Sequence, residues 1–149
     1  MDITWTTKRF DELTPFELYE ILMLRSEVFV VEQDCVFLDM DGQKDFLSHH
    51  FMGRANGALV AYTRLVPPGI AYEEPSIGRV VTSPKARGTG IGRQLMLLSI
   101  EQVFLLFGKQ PIHIGAQLYL KKFYESFGFV QAGDIYDEDG IDHIGMILS

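Results

Sequence analysis

The segment Arg87-Gly88-Thr89-Gly90-Ile91-Gly92 constrains this chain more than any other. It stands between an apolar run that reads as a strand, Ile77 to Thr82, and one that reads as a helix, from about Gly90 to Phe107. A strand, a glycine-rich turn and a helix start together form an anion site. The first helical N–H groups lack an intrahelical partner, and a helix start carries roughly half a positive charge. Gly88, Gly90 and Gly92 leave those amides uncovered, so a pyrophosphate can approach the backbone. Arg87 and Arg93 add guanidinium groups suited to phosphate oxygens.

Other glycine loops are excluded by their own residues. A Walker A loop ends in Gly-Lys-Ser/Thr, and this one ends Gly92-Arg93-Gln94. A dinucleotide fingerprint needs glycine where Arg93 stands and an acid about 20 residues later. Lys109 to His113 offers none.

The 149 residues, 47% hydrophobic, suit one domain spanning 1–149 that needs no disulfide or metal staple. Cys35 is the single cysteine, which suits a reducing compartment. Met1-Asp2-Ile3-Thr4-Trp5 has neither the basic start nor the apolar core of a signal peptide, and no apolar run is long enough to span a bilayer. A cytoplasmic protein with no membrane partner is expected. The net charge of −7 argues against nucleic acid. Yet Pro75 to Ile100 contains no acid and holds Arg79, Lys85, Arg87 and Arg93, as expected of a pocket for a small anionic ligand.

Along the chain, Ile3 to Thr7 alternates as a half-buried strand. Thr14, Pro15 and Glu17 then form a capping box for a helix whose apolar stripe runs on through Val31. Asp34 to Asp45 reads as a loop. His50–Arg54 and Leu59–Val66 read as strands joined at Asn56-Gly57, a strong hairpin signal. After the glycine loop and its helix, Gly108 is placed as a C-cap. A strand at Ile112–Ala116, a helix to Phe127 and strands near Phe129–Tyr136 and Ile141–Leu148 complete the chain. The order β-α-β-β-β-α-β-α-β-β predicts an α/β (mixed α+β) domain with one mixed sheet flanked by helices.

Arg87-x-x-Gly90-x-Gly92 after a strand resembles the acyl-CoA signature of the GNAT superfamily of N-acetyltransferases. Phe123-Tyr124-Glu125-Ser126-Phe127-Gly128-Phe129 resembles its helix-to-strand segment. Leu24 to Gln33 and His143-Ile144-Gly145-Met146 look like the ElaA-type branch. The resemblance implies a single domain with a central, twisted, largely antiparallel sheet. It implies acetyl-CoA as co-substrate, no metal, and a small-molecule or peptide amine as partner, with a homodimer left open. Val80, Val81 and Thr82 would pair with the pantetheine arm, a backbone N–H there polarising the thioester carbonyl. Arg87, Gly88, Thr89, Gly90, Ile91, Gly92 and Arg93 would hold the phosphates, and Gln117 stands where the family often has an asparagine that helps hold the coenzyme.

Transfer in this family is a direct attack of a neutral amine on the thioester, and Tyr124 matches the tyrosine that protonates the leaving thiolate. Some members carry a glutamate base on the strand before it, but Ile112 to Ala116 has no carboxylate. His143 is the first candidate base, followed by Glu32 and His49. Two other readings stay open: a catalytically quiet acyl-CoA-binding module, and an acyl-homoserine-lactone synthase, whose start resembles Leu24 to Phe29. Asp39-Met40-Asp41-Gly42 lacks the spacing of a calcium loop, and adjacent His49 and His50 point to opposite faces of a strand.

Overall fold

The structure, a computed structural model, describes residues 2–149. Strands β1 (Thr4–Arg9), β2 (His49–Ala55), β3 (Ala58–Val66) and β4 (Ser76–Thr82) form one antiparallel sheet in that order. Strands β5 (Ile112–Gln117), β6 (Val130–Gln131), β7 (Tyr136–Glu138) and β8 (Ile141–Leu148) form a second, with β8 paired to the other three. The expected α/β domain with antiparallel strands flanked by helices is present, but in place of one mixed sheet the strands form two four-stranded antiparallel sheets. The helices are α1 (Pro15–Arg25), α2 (Lys44–Leu47), α3 (Ile91–Phe107) and α4 (Lys121–Glu125).

Local chemistry accounts for most boundaries. Thr14 Oγ1 accepts the Glu17 N–H at 3.1 Å while the Glu17 carboxylate accepts the Thr14 N–H at 2.9 Å, the reciprocal cap expected of α1. Asn56 and Gly57 both adopt positive φ, 51° and 81°, the conformation of a tight hairpin turn between β2 and β3. Several boundaries differ from expectation: α2 begins within the segment read as a loop, and the helix expected to reach Phe127 is the short α4, ending at Glu125. The helical run after α1 continues as a π-helix, Ser26–Glu32, widened to i→i+5 bonding. The strand expected over Phe129–Tyr136 is broken into β6 and β7. The chain bends there to place the Ala132 carbonyl against the bare Cα of Gly145, where a methyl would sit 2.7 Å from that oxygen.

The main core lies against α3 and draws from both sheets, with Leu65, Leu95, Met96, Val103, Ile112, Ile144 and Met146 buried together. A smaller cluster of Ile21, Leu24, Val28, Met52, Tyr62 and Val81 fills the opposite face under α1.

Beside that second cluster lies a buried ionic network. Arg25, only 1% exposed, donates Nε to Asp39 at 2.8 Å and Nη1 to Asp45 at 2.8 Å. Arg64 Nη1 reaches Asp41 at 2.9 Å and Asp45 at 3.1 Å, and Arg79 Nε reaches Asp39 at 2.7 Å. His50 faces the Asp45 carbonyl through Nε2, and a carbonyl only accepts, so Nε2 carries the proton and Nδ1 accepts from the Tyr62 hydroxyl at 2.6 Å. Burial pushes the His50 pKa down and keeps that ring neutral.

Removing one partner from such a network leaves charges buried and unpaired. Arg25→Met is expected to lower unfolding free energy in urea by about 3–5 kcal/mol, since Asp39 and Asp45 lose a guanidinium. The network also sets acid stability. Burial alone would push the Asp41 carboxyl up, but the Gln43 and Lys44 N–H groups and Arg64 hold it at about 2. Burial likewise opposes ionisation of Asp45, and Arg25 and Arg64 hold its pKa below the usual value. Folded pKa values below the unfolded ones contribute stability above about pH 4 that is lost as pH falls toward 2. Urea midpoints measured across that range should fall steadily, and a flat profile would contradict the assignment.

Candidate active site

The two half-sheets meet at β4 and β5 and then part. The His113 N–H donates to the Pro75 carbonyl at 3.0 Å, joining the starts of the strands. Beyond that bond, Val80, Val81 and Thr82 on one side and Ile114, Gly115 and Gln117 on the other line a cleft of about 650 Å³. In β4 the ladder with β3 is irregular. Tyr62 faces Val81 and Arg64 faces Gly78, so Thr63 is opposed by two residues, Arg79 and Val80. This β-bulge puts Arg79 at φ 50°, a conformation that costs a side-chain-bearing residue about 1–3 kcal/mol. The Arg79 guanidinium is held by the Asp39 carboxylate and by the Asp39 carbonyl at 2.8 Å, so the ionic network fixes the bulge.

The glycine loop leads from β4 to α3. Ser83 caps a 3₁₀ turn, Pro84–Ala86, and Thr89 Oγ1 donates to the Ala86 carbonyl at 2.6 Å. Gly88 and Gly90 take φ of 81° and 78°, and a methyl on Gly88, Gly90 or Gly92 would meet nothing within 4 Å. Gly90 offers no capping side chain, so the first amides of the 17-residue α3 open outward, while Ile91 is buried and anchors the turn. Arg87 lines the cleft and forms a two-pronged pair with Glu32, at 2.8 and 2.7 Å. Arg93 stands outside the cleft, bonded to Ser126 Oγ at 3.0 Å with its guanidinium 4.8 Å from the Phe127 ring centre.

Tyr124 projects from α4 into the cleft, its ring edge-on to Phe123 and Phe129. Burial, with a smaller effect of Tyr119, pushes its phenol pKa well up, so the hydroxyl keeps its proton at neutral pH. Gln117 at the end of β5 exchanges side-chain hydrogen bonds with Gln33, at 3.1 and 3.3 Å. His143 lies opposite Gln117 across the β5–β8 ladder and also lines the cleft. Its Nδ1 donates to the Ile141 carbonyl at 2.8 Å, which leaves Nε2, 3.3 Å from the Glu138 carboxylate. Of the other candidate bases, Glu32 reaches the cleft tied to Arg87. His49 is turned away from it onto the Phe107 ring, at 5.6 Å between ring centres.

Several cleft residues carried no signal strong enough to find in the sequence. Tyr72 and Tyr136 converge over Gly115, where a methyl would lie 3.1 and 2.8 Å from their hydroxyls. A glycine inside a strand does signal close approach, yet it cannot say what approaches. Glu138, Arg64 and Lys44 reach the cleft through register and loop folding alone. Among the described residues, no group of three histidine, cysteine or acidic side chains is arranged to hold a metal, and no helix is long and apolar enough to cross a membrane.

Comparison with known proteins agrees with this geometry. Residues 30–149 match the family model described as an acetyltransferase (GNAT) domain. Protein ElaA of Escherichia coli (strain K12) is 42% identical over 147 residues, covering 97% of this chain and 95% of its own, and an ElaA crystal structure superposes with a TM-score of 0.91. A UPF0039 protein of Synechocystis sp. is 46% identical over 149 residues, 99% of this chain and 96% of its own. The structure of an acyl-CoA N-acyltransferase from Pseudomonas aeruginosa, 42% identical, covers 99% of this chain and 100% of its own at a TM-score of 0.94. A splayed β4–β5 pair, an open glycine loop and these relatives converge: the chain belongs to the GNAT acetyltransferase family, in its ElaA-like branch.

Proposed function

We propose that this protein transfers an acetyl group from acetyl-CoA directly to an amine. The observation that carries the reading is the meeting in one cleft of the unpaired edge at Val80–Thr82, Arg87 and the protonated Tyr124 hydroxyl, with the open amides at Gly88–Gly92 next in the chain after Arg87. Phosphates suit the α3 start, where nothing covers the backbone and the helix dipole favours negative charge. Arg87 joins them by exchanging Glu32 for a phosphate oxygen, while Arg93 adds longer-range charge from outside the cleft. Thr89 and Ile91 shape the turn, and Gln117 faces the pantetheine arm from β5.

The chemistry then requires one proton to be delivered and one to be removed. The amine nitrogen attacks the thioester carbonyl, whose oxygen is stabilised by a backbone N–H at the Val80–Thr82 edge. The C–S bond breaks, and Tyr124 donates its proton to the leaving thiolate, whose usual pKa is about 8.5. An alkylamine with pKa near 10.4 costs on the order of 4–5 kcal/mol to present neutral at pH 7, so a proton acceptor is useful. His143 fills that role through Nε2, its other nitrogen being fixed by the Ile141 carbonyl. The exposed Glu138 beside it offers the proton a way to solvent.

The direct measurement is thiol release from acetyl-CoA against a panel of amines and peptides. If CoA stabilises the protein thermally but no amine releases thiol, the chain is a binding module and the enzymatic reading fails. Tyr124→Phe should lower kcat by about 10²-fold while leaving thermal stabilisation by CoA unchanged, since it removes a proton and little volume. Arg87→Ala combined with Gly90→Trp should abolish that stabilisation. The first removes charge, and the second both covers the amides and strains a residue at φ 78°. Retained stabilisation would mean that the phosphates bind elsewhere.

A further inference from the structure

Arg64 holds the one buried side-chain polar atom without a hydrogen-bond partner among the described residues, its Nε–H. The side chain is 4% exposed and lines the cleft. Its Nη1 is committed to Asp41 and Asp45. Directly across the ladder stands Gly78, where a methyl would meet nothing within 4 Å, so the space beside Arg64 is open cleft. A buried donor left unmet is unfavourable, and a ligand oxygen would relieve it.

The charges point the same way. Arg25, Arg64 and Arg79 are balanced by Asp39, Asp41 and Asp45. Lys44 also lines the cleft, and its Nζ makes no ion pair among the described residues, so this wall has room for one more negative charge. The wall across the cleft is of opposite character, with Glu138, Asp139 and His143. We propose that the acceptor is a carboxylate-bearing amine of the amino-acid class. Its carboxylate accepts from Arg64 Nε–H and pairs with Lys44, and its ammonium faces the Glu138 side. This deepens the acetyltransferase reading and rests on it.

The test uses matched acceptors with CoA-loaded or acetyl-CoA-loaded protein: phenylalanine against phenethylamine, lysine against cadaverine, and γ-aminobutyrate against propylamine. A dipeptide arm separates a free amino acid from a peptide terminus. At least one carboxylate-bearing member should exceed its partner in kcat/KM by about 10- to 100-fold, because the amine alone leaves the polar groups unmet. Lys44→Met should raise KM for the acid and leave its amine partner unchanged. Arg64→Lys keeps a charge beside Asp41 and Asp45 but removes Nε–H, and should do the same; Lys44→Met decides the matter if that variant does not fold. Equal reaction of every pair would mean that water meets Nε, and would overturn the proposal. So would a calorimetric result in which no N-acetylated acid binds the CoA-loaded protein better than its N-acetylated amine. Failure of CoA itself to stabilise the protein would overturn the donor reading, and this inference with it.

Discussion

Arg25 sits at 1% exposure in a chain of net charge −7, and the geometry of the cleft follows from how its charge is met. The guanidinium extends from the last turn of α1 and gathers Asp39 and Asp45 from the segment that follows the π-helix. Asp39 in turn holds Arg79, and with it the one non-glycine residue at positive φ within a strand among the described residues. Helix, connecting segment and β-bulge are thus joined through two carboxylates. A hydrophobic cluster of equal volume could be as stable or more so. It could not direct a guanidinium, a carboxylate and a strained backbone to fixed positions on a cleft wall.

The bulge matters because it stops β4 from continuing the sheet. A regular strand would present its outer edge to β5, and the two half-sheets would close into one. Instead the pair is joined only near Pro75 and His113, and the cleft opens where the strands part. The side proposed to hold the donor is built from backbone: bare glycines, a helix start and a strand edge. The side proposed to hold the acceptor is built from side chains, among them Tyr72, Tyr136, Glu138 and Arg64.

That division also explains what could be read from the sequence. Signals that act over a few residues were legible: the Thr14–Glu17 box, the Asn56-Gly57 turn, the glycine loop and the Gly108 cap all stand where their residues put them. The proposed phosphate site belongs to this class, being one continuous segment from Arg87 to Arg93. On the opposite side only His143 was singled out, because Arg64 and Glu138 join it through the β3–β4 and β7–β8 registers and Tyr72 through the loop between β3 and β4. The π-helix was missed for a related reason. An apolar stripe does not distinguish i→i+4 from i→i+5 bonding over seven residues. The bend between β6 and β7 depends on Gly145, a residue on a different strand.

Gly115 shows how far substitution can move a function without changing the fold. Its strand offers no carboxylate, and the space that a side chain would fill is taken by the hydroxyls of Tyr72 and Tyr136. Burial raises both phenols, Tyr136 to about 12, so both stay protonated across the neutral range and neither can serve as a base there. On the proposed reaction, a base for the amine then comes from another strand. On β8, His143 is placed directly across from Gln117, one residue on from Ala116, and has a single nitrogen left to exchange a proton. On the proposed reaction, the hydroxyls of Tyr72 and Tyr136 over β5 and His143 on β8 make a wall that both binds an amine and receives its proton. A lone carboxylate on β5 would have to do both tasks with the same atoms.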